Sequence, residues 1–243
     1  MKILITGANT PLATTISERI SADHEVVATD AESEPANGRL LDLRELEGEC
    51  ELLDGVEVIL HCGVLPSDCG DEQHVLDFAN RGTFNLLNAA KAAGVRRFIH
   101  FSTLDFMTDK VDEYWVDERF KPRPDTEATQ LAHFLVEKMA YQFAIETPIE
   151  VISLRLANGV LEEETSDQEF DPDWVDLRDV AQAAEKALDF ELPDRYRIFH
   201  IAANTFESRW EVGHAVQSLG YRPEHNFGGA TRRDRDGRIV TNS

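Results

Sequence analysis

Short apolar runs alternate with amphipathic stretches of ten or more residues along this chain of 243 residues. The apolar runs predict strands at about 2–6, 25–30, 56–62, 97–103, 149–156 and 197–203. The amphipathic stretches predict helices from about 11 to 20, 80 to 93, 125 to 145, 177 to 188 and 208 to 219. Strands that alternate with helices of this length pair in parallel through right-handed crossovers. The pattern therefore predicts an α/β fold with a doubly wound parallel sheet.

The first strand is followed at once by a glycine turn and a helix start. Gly7 supplies the turn, Thr10 is suited to cap the helix, and Pro11 fits its first position, where no N–H is needed. This is the layout of a dinucleotide-binding βα unit. Thr10 and Ala13 stand where a G-x-x-G-x-x-G pattern has its second and third glycines, so an ordinary strand–helix turn remains an alternative.

Ligands of doubly wound sheets bind at the carboxyl ends of the strands, near the switch point. The residues expected there are Gly7–Thr10, Asp30, Asp42, His61–Val64, Ser102–Asp105 and the loop after Leu156. Asp30 ends the second strand, where a carboxylate accepts both ribose hydroxyls of an adenosine and repels a 2′-phosphate. No arginine follows it in the next four residues, so NAD is favoured over NADP. The alternative is a solvated carboxylate in an acidic chain.

Composition excludes several classes of partner. A formal net charge of −22 argues against nucleic acid and against anionic membranes. No apolar run approaches the ~20 residues of a membrane span, and no signal peptide precedes the first strand. Three cysteines suit a reducing compartment, so we expect a cytoplasmic protein. The histidines and cysteines between residues 61 and 74 match no metal-ligand spacing, and no metal site is predicted.

Several further motifs extend over nearly the whole chain. They are Thr6–Ala8, Asp30, Asp42–Leu43, His61–Gly63, Asn80–Leu87, Arg97–Thr103 and Arg155–Gly159. In combination they resemble the extended short-chain dehydrogenases/reductases of the NAD-dependent epimerase/dehydratase family, and loosely its uronate dehydrogenase-like members. The fold that the resemblance implies is a Rossmann fold with a small C-terminal substrate region.

The resemblance also implies the cofactor and its site. NAD would be held by Gly7, Asn9, Thr10, Pro11, Leu12, Asp30, Asp42, Leu43, Cys62, Gly63, Val64, Asn80 and Lys138. Residues 1–156 would form the dinucleotide-binding core and 157–243 the substrate region, with 175–203 returning a helix and a strand to the core. A small-molecule substrate is implied, and a homodimer through the helices near Asn80 and Asp125 is compatible with the family.

Members of this family use a Tyr and a Lys four residues apart on one helix face, with a Ser or Thr from a neighbouring strand end. The lysine holds the nicotinamide ribose, and the phenol exchanges a proton with the substrate hydroxyl during hydride transfer. By resemblance, Ser102 or Thr103 supplies the hydroxyl and Lys138 the amine. The tyrosine position is then occupied by Phe134. His133 lies about 140° around the helix from Lys138 and is expected to point elsewhere.

Two functions therefore remain open. One is an NAD-dependent oxidoreductase or epimerase that acts on a sugar-like or hydroxy substrate with a degenerate site and an atypical proton donor. The other is a binding or regulatory module, catalytically inactive, that retains the fold. Phe134 supports the second function, and so does Thr10, whose side chain crowds the approach of a pyrophosphate to the helix.

Overall fold

The computed structural model describes residues 1–46, 51–111, 113–165 and 167–229. The strands are β1 (Lys2–Thr6), β2 (Glu25–Asp30), β3 (Gly38–Leu40), β4 (Val58–His61), β5 (Arg97–Thr103), β6 (Glu150–Leu156), β7 (Asn158–Val160), β8 (Trp174–Asp176) and β9 (Tyr196–Ile201). The longer helices are α1 (Pro11–Ile20), α2 (Glu72–Ala93), α3 (Ala128–Glu146) and α4 (Leu177–Asp189).

Seven of these strands form one sheet in the order β3-β2-β1-β4-β5-β6-β9, and each pair is parallel. The chain runs outward in one direction from β1 to β3 and in the other direction from β4 to β9. The sheet therefore has its switch point between β1 and β4, which confirms the predicted doubly wound fold. β7 and β8 pair separately after β6.

Helices cover both faces of the sheet. α1 packs beside α4 on one face, and α2 packs beside α3 on the other. Successive strand residues alternate between these layers: Ile3 and Ile5 face α1, whereas Leu4 faces α2, and all three are at most 1% exposed. Burial of each such side chain contributes roughly 1.5–3 kcal/mol. In the described part of the chain, no helix is both long and apolar enough to cross a membrane.

Two predicted helices differ from the structure. α2 begins at residue 72 rather than near 80, because the Asp71 carboxylate caps it by accepting the N–H groups of Gln73 and His74. The predicted helix at 208–219 is reduced to a short π-helix, Ala215–Leu219. The backbone on either side of Trp210 is instead paired with Val116, whose N–H and C=O each make a 2.9 Å hydrogen bond.

The face under α2 and α3 becomes polar toward the carboxyl ends of the strands. His61 lies between the hydroxyl oxygens of Thr6 and Thr83, at 2.7 and 2.9 Å from its two ring nitrogens. Further along the sheet, Arg155 of β6 forms a bidentate ion pair with Glu137 of α3, with N–O distances of 2.9 and 2.7 Å. Both side chains are at most 1% exposed, so α3 is fixed in rotation against the sheet.

Candidate functional site

A cleft of about 360 Å³ opens at the carboxyl ends of β1, β2 and β4. Its place at the switch point is the one that the sheet topology predicts for a ligand. The structure brings together there many of the residues expected to hold a cofactor, namely Gly7, Asn9, Thr10, Asp30, Leu43, Cys62, Gly63 and Val64. Pro11 and Leu12 follow Thr10 as the first residues of α1.

Two glycines form the floor of this cleft. Gly7 has a φ of +63°, and a Cβ atom there would collide with the backbone of Gly63. A Cβ atom on Gly63 would in turn lie 2.8 Å from the Gly7 Cα and N atoms. The loops after β1 and β4 therefore approach each other backbone to backbone, which leaves the space above them open to a ligand.

Asp30 fixes a carboxylate in the cleft wall. The residue is 8% exposed, and its two oxygens accept the N–H groups of Asn9 at 3.1 Å and Glu32 at 3.0 Å. A carboxylate oxygen has more than one acceptor site, so each can still accept a hydroxyl. The orientation of the carboxylate is thus set before any ligand binds.

The loop that would face a pyrophosphate uses most of its own N–H groups. The N–H groups of Ala8, Asn9 and Thr10 donate to Thr29, Asp30 and Gly7, and that of Ala13 donates to Thr10 Oγ1 at 3.2 Å. Pro11 has no N–H. Within residues 8–13, as the structure describes them, the Leu12 N–H alone has no partner. Anion binding at this helix therefore depends on one amide and on the helix dipole.

The charged side chains that line the cleft are all negative. Among its described lining residues there is no lysine or arginine, and the charged members are Asp30 and Glu32. A neutral nucleoside therefore fits the cleft better than a cluster of phosphates.

The side chain of α3 that reaches the cleft is His133, not Lys138. The two residues lie on one helix, about 140° apart. The sequence led us to expect Lys138 on the face toward the site and His133 pointing elsewhere, but the structure buries a different face. It consists of Ala128, Ala132, Val136, Glu137, Ala140 and Ala144. The Lys138 side chain is half exposed, its Nζ 3.9 Å from Glu137 Oε1 and 5.1 Å from the centre of the Phe134 ring.

His133 is a neutral group at the end of the cleft. Burial lowers its pKa to about 4, and its Nδ1 is shielded from solvent with no hydrogen-bond partner among the described residues. Burial also lowers the pKa of His61 to about 3 and holds that of His100 well below the ordinary value. One turn before His133, on the same face, stands the half-buried Thr129.

The remaining predicted catalytic residues lie outside the residues that line the cleft. Ser102 is 3% exposed, and its Oγ has no hydrogen-bond partner in the described chain. Thr103 Oγ1 accepts the N–H of Asp105 at 3.0 Å. Phe134 packs edge-on against Phe106, with ring centroids 6.4 Å apart. The structure thus places Ser102 and Thr103 at the end of β5, the strand next to β4, and Phe134 in an apolar contact.

Two predicted cofactor residues, Asp42 and Asn80, do not line the cleft. Asp42 caps a short helix, and its Oδ2 accepts hydrogen bonds from Arg44 Nε and Nη2 at 2.9 and 2.6 Å. Burial alone would raise the pKa of this carboxyl, but the hydrogen bonds from Arg44 lower it. Asn80 donates its side-chain amide to the Leu76 carbonyl, one turn earlier in α2, at 2.8 Å.

Sequence reasoning missed two other groups at the site. Glu32 and Ser67 line the rim of the cleft and are hydrogen-bonded to each other. Their separation by 35 residues gives no local signal. His133 was misplaced because the helix was oriented by its lysine, although the spacing of its alanines marks the buried face.

Comparison with known proteins places these observations in a family. The NAD dependent epimerase/dehydratase family model matches residues 3–172. L-arabinose 1-dehydrogenase (NAD(P)(+)) from Haloferax volcanii is 23% identical over 247 residues, covering 93% of this chain and 97% of that protein. Sterol demethylase protein B from Methylococcus capsulatus is 31% identical over 147 residues, 54% of this chain and 44% of that protein.

Solved structures share the fold. A short-chain dehydrogenase/reductase superfamily protein from Agrobacterium tumefaciens, with bound NAD, gives a TM-score of 0.78 at 17% identity over 93% of this chain and 94% of that one. Glucuronic acid dehydrogenase from Chromohalobacter salexigens gives 0.76 at 18% identity over 93% and 85%. Together with the glycine floor and the cleft at the switch point, the match over most of the chain confirms the resemblance that the sequence motifs indicated: this chain belongs to the NAD-dependent epimerase/dehydratase family.

Proposed function

We propose that the protein binds NAD in preference to NADP and acts as an oxidoreductase or epimerase on a small sugar-like or hydroxy substrate. The observation that carries the proposal is Asp30, whose carboxylate is fixed in the wall of a cleft at the switch point. The glycine floor fits a ligand that approaches the backbone closely, and the acidic wall fits ribose hydroxyls. The family and the names of the relatives favour a sugar substrate and a nicotinamide cofactor.

The residues have distinct parts in this proposal. Asp30 binds the adenosine ribose, Gly7 and Gly63 admit the cofactor, and the Leu12 N–H donates to a phosphate oxygen. NAD held there would supply the hydride acceptor or donor for the substrate carbon. The chain from 1 to 156 supplies this core, and the segment 157–243 supplies the substrate region, with α4 and β9 returning to the core. Residues 230–243 of that segment lie outside the described chain.

A second function is favoured by one specific observation. On α3, His133 lines the cleft and Thr129 stands one turn before it, whereas Phe134 and Lys138, to which the resemblance assigned the tyrosine and lysine positions, do not line the cleft. The hydroxyl of Thr129 is a much weaker acid than the phenol of a tyrosine. His133 carries no charge at neutral pH, whereas a lysine would. A module that binds NAD and transfers no hydride is consistent with this pair.

Calorimetric titration with NAD and NADP tests the first part of the proposal. We expect NAD to bind more tightly, and failure of both to bind at millimolar concentration would overturn either function. Reduction of NAD is then followed with neutral aldoses and with uronic acids. Turnover by the natural chain excludes the inactive module. Turnover that occurs only in the Thr129→Tyr/His133→Lys variant shows that the natural chain lacks only a catalytic tyrosine and lysine.

We also propose that two copies associate through α2 and α3, as family members allow. The outer surfaces of these helices expose apolar side chains, namely Phe84, Leu135, Tyr141 and Ile145. Light scattering on the natural chain and on Phe84→Glu tests the proposal. A monomeric natural chain would contradict it.

A further inference from the structure

The rim of the cleft is closed by a bridge between two loops that are far apart in the sequence. The carboxylate of Glu32, in the loop after β2, accepts the N–H of Ser67 at 2.9 Å and its Oγ–H at 2.6 Å. Ser67 belongs to the loop after β4. Hydrogen bonds to a carboxylate are stronger than those between neutral groups, so this contact holds the Glu32 side chain in one direction.

The bridge passes over the end of β1. In the sheet, β1 lies between β2 and β4, and strands are about 4.8 Å apart, so the two loops start about 10 Å from each other. Gly7, Glu32 and Ser67 all line the cleft. A nucleoside whose ribose meets Asp30 would therefore share the cleft with the Glu32 carboxylate.

The backbone around Glu32 is fixed as well. Its N–H donates to Asp30 Oδ1 at 3.0 Å, and Asn9 donates its side-chain amide to Ser33 O and Oγ at 3.0 and 2.8 Å. Glu32 has no ion-pair partner within the described residues. The ribose end of the cleft thus holds a second carboxylate that is oriented and not neutralised.

We infer that Glu32, held by Ser67, is a specificity-determining residue that excludes ligands with a phosphate on the adenosine ribose. This inference rests on the proposed binding of NAD. Asp30 provides acceptors for the hydroxyls, and Glu32 adds a like-charge repulsion against the 2′-phosphate that distinguishes NADP from NAD, since the two share the pyrophosphate. Rejection of the wrong ligand by such a repulsive element is a common way to obtain specificity.

The test compares the ratio of the NADP and NAD dissociation constants, measured by calorimetry, in four proteins. Glu32→Gln removes the charge and keeps a side chain that can still bond to Ser67. Ser67→Ala keeps the charge and removes one of the two bonds. Glu34→Gln removes an exposed carboxylate that does not line the cleft and serves as the control.

We expect Glu32→Gln to lower the NADP/NAD ratio by about tenfold, Ser67→Ala to lower it less, and Glu34→Gln to leave it unchanged. Thermal unfolding of each variant establishes that it is folded. If NAD binds and the ratio in Glu32→Gln equals that of the natural chain, the inference fails and the proposed function stands. If the natural chain binds neither dinucleotide, the proposed function fails first.

Discussion

Thr10 Oγ1 accepts the backbone N–H of Ala13 at 3.2 Å, so the loop's own side chain occupies a donor at the start of α1. A phosphate at this helix would otherwise compete for that donor. We predict that Thr10→Gly lowers the dissociation constant of NAD by about tenfold, because it frees one N–H for a charged acceptor. Glycine is also an acceptable cap, with a stability cost of only a few tenths of a kcal/mol.

The matched control for this prediction is Thr15→Ala. Thr15 donates its hydroxyl to the Pro11 carbonyl on the exposed side of the same helix. We expect it to leave NAD affinity unchanged. Calorimetry on both variants, with unfolding curves for each, decides the matter. Weaker NAD binding in a folded Thr10→Gly variant would contradict the prediction.

The buried pair Glu137–Arg155 should dominate the stability of the polar layer. Glu137→Gln leaves the Arg155 guanidinium buried without a counter-charge, and we predict a loss of about 3–5 kcal/mol in the free energy of unfolding. The double variant Glu137→Leu/Arg155→Met removes both charges and should lose less. Urea unfolding measures both changes.

A surface pair provides the comparison for that prediction. Arg19 and Glu185 form an ion pair at 2.8 Å, but their side chains are 39% and 33% exposed. Glu185→Gln should change the free energy of unfolding by no more than about 1 kcal/mol. Equal losses in Glu137→Gln and Glu185→Gln would show that burial of the first pair does not govern its contribution.

The buried histidines predict a loss of stability in mild acid. The pKa values of His61 and His133 in the folded chain are about 3 and 4, below the ordinary 6.5. At a pH between the folded and the ordinary pKa values, the unfolded chain binds more protons than the folded one. The free energy of unfolding is therefore highest above about pH 6.5 and falls as the pH decreases. Each histidine contributes a slope of up to about 1.4 kcal/mol per pH unit.

Denaturant unfolding between pH 7.5 and 5.0 checks this prediction, because most carboxyls are ionised in both states over that range. His100→Phe offers the matched variant, since both ring nitrogens of His100 lack hydrogen-bond partners among the described residues. We expect the variant to retain its stability at pH 7.5 and to show a shallower pH dependence. An unchanged slope would mean that His100 is not buried as a neutral ring.

Asp179 should control the attachment of the segment 222–229. Its Oδ2 accepts the N–H groups of Glu224 and His225, both at 3.0 Å, and its Oδ1 lies 3.1 Å from His225 Nδ1. We predict that Asp179→Ala increases the rate at which a glutamate-specific protease cleaves after Glu224. Asp194→Ala, which removes an exposed carboxylate, is the control and should cleave at the rate of the natural chain.

Most of the fold was predictable from the sequence, because local features such as apolar runs and terminal glycines themselves determine where strands and helices begin and end. β2 has the bounds that its apolar run predicts, and Gly94 ends α2 in the left-handed conformation expected of a helix-terminal glycine. The sequence 208–214 was predicted as helix because its apolar spacing is helical, but its backbone pairs with Val116, almost a hundred residues earlier. Such non-local pairing leaves no trace in a short window of sequence.

The site was predictable in part for a related reason. Gly7, Asp30 and Gly63 follow directly from strand ends, and the topology of the sheet brings them together. The orientation of α3 depends instead on where Glu137 meets Arg155, a contact between different elements. With that contact known, His133 faces the cleft and Lys138 faces solvent.

The anchoring of the segment 222–229 has a consequence for redesign. It is attached largely through main-chain N–H groups: those of Arg222, Glu224, His225 and Phe227 donate to side chains of α4 and of Glu162. Any residue other than proline carries the same donor. The exposed side chains of Arg222 and Glu224 are therefore open to exchange while the path of the segment is kept, whereas His225 contacts Asp179 and Phe227 packs against Trp174. These two exposed positions are places to vary the chain without rebuilding the sheet.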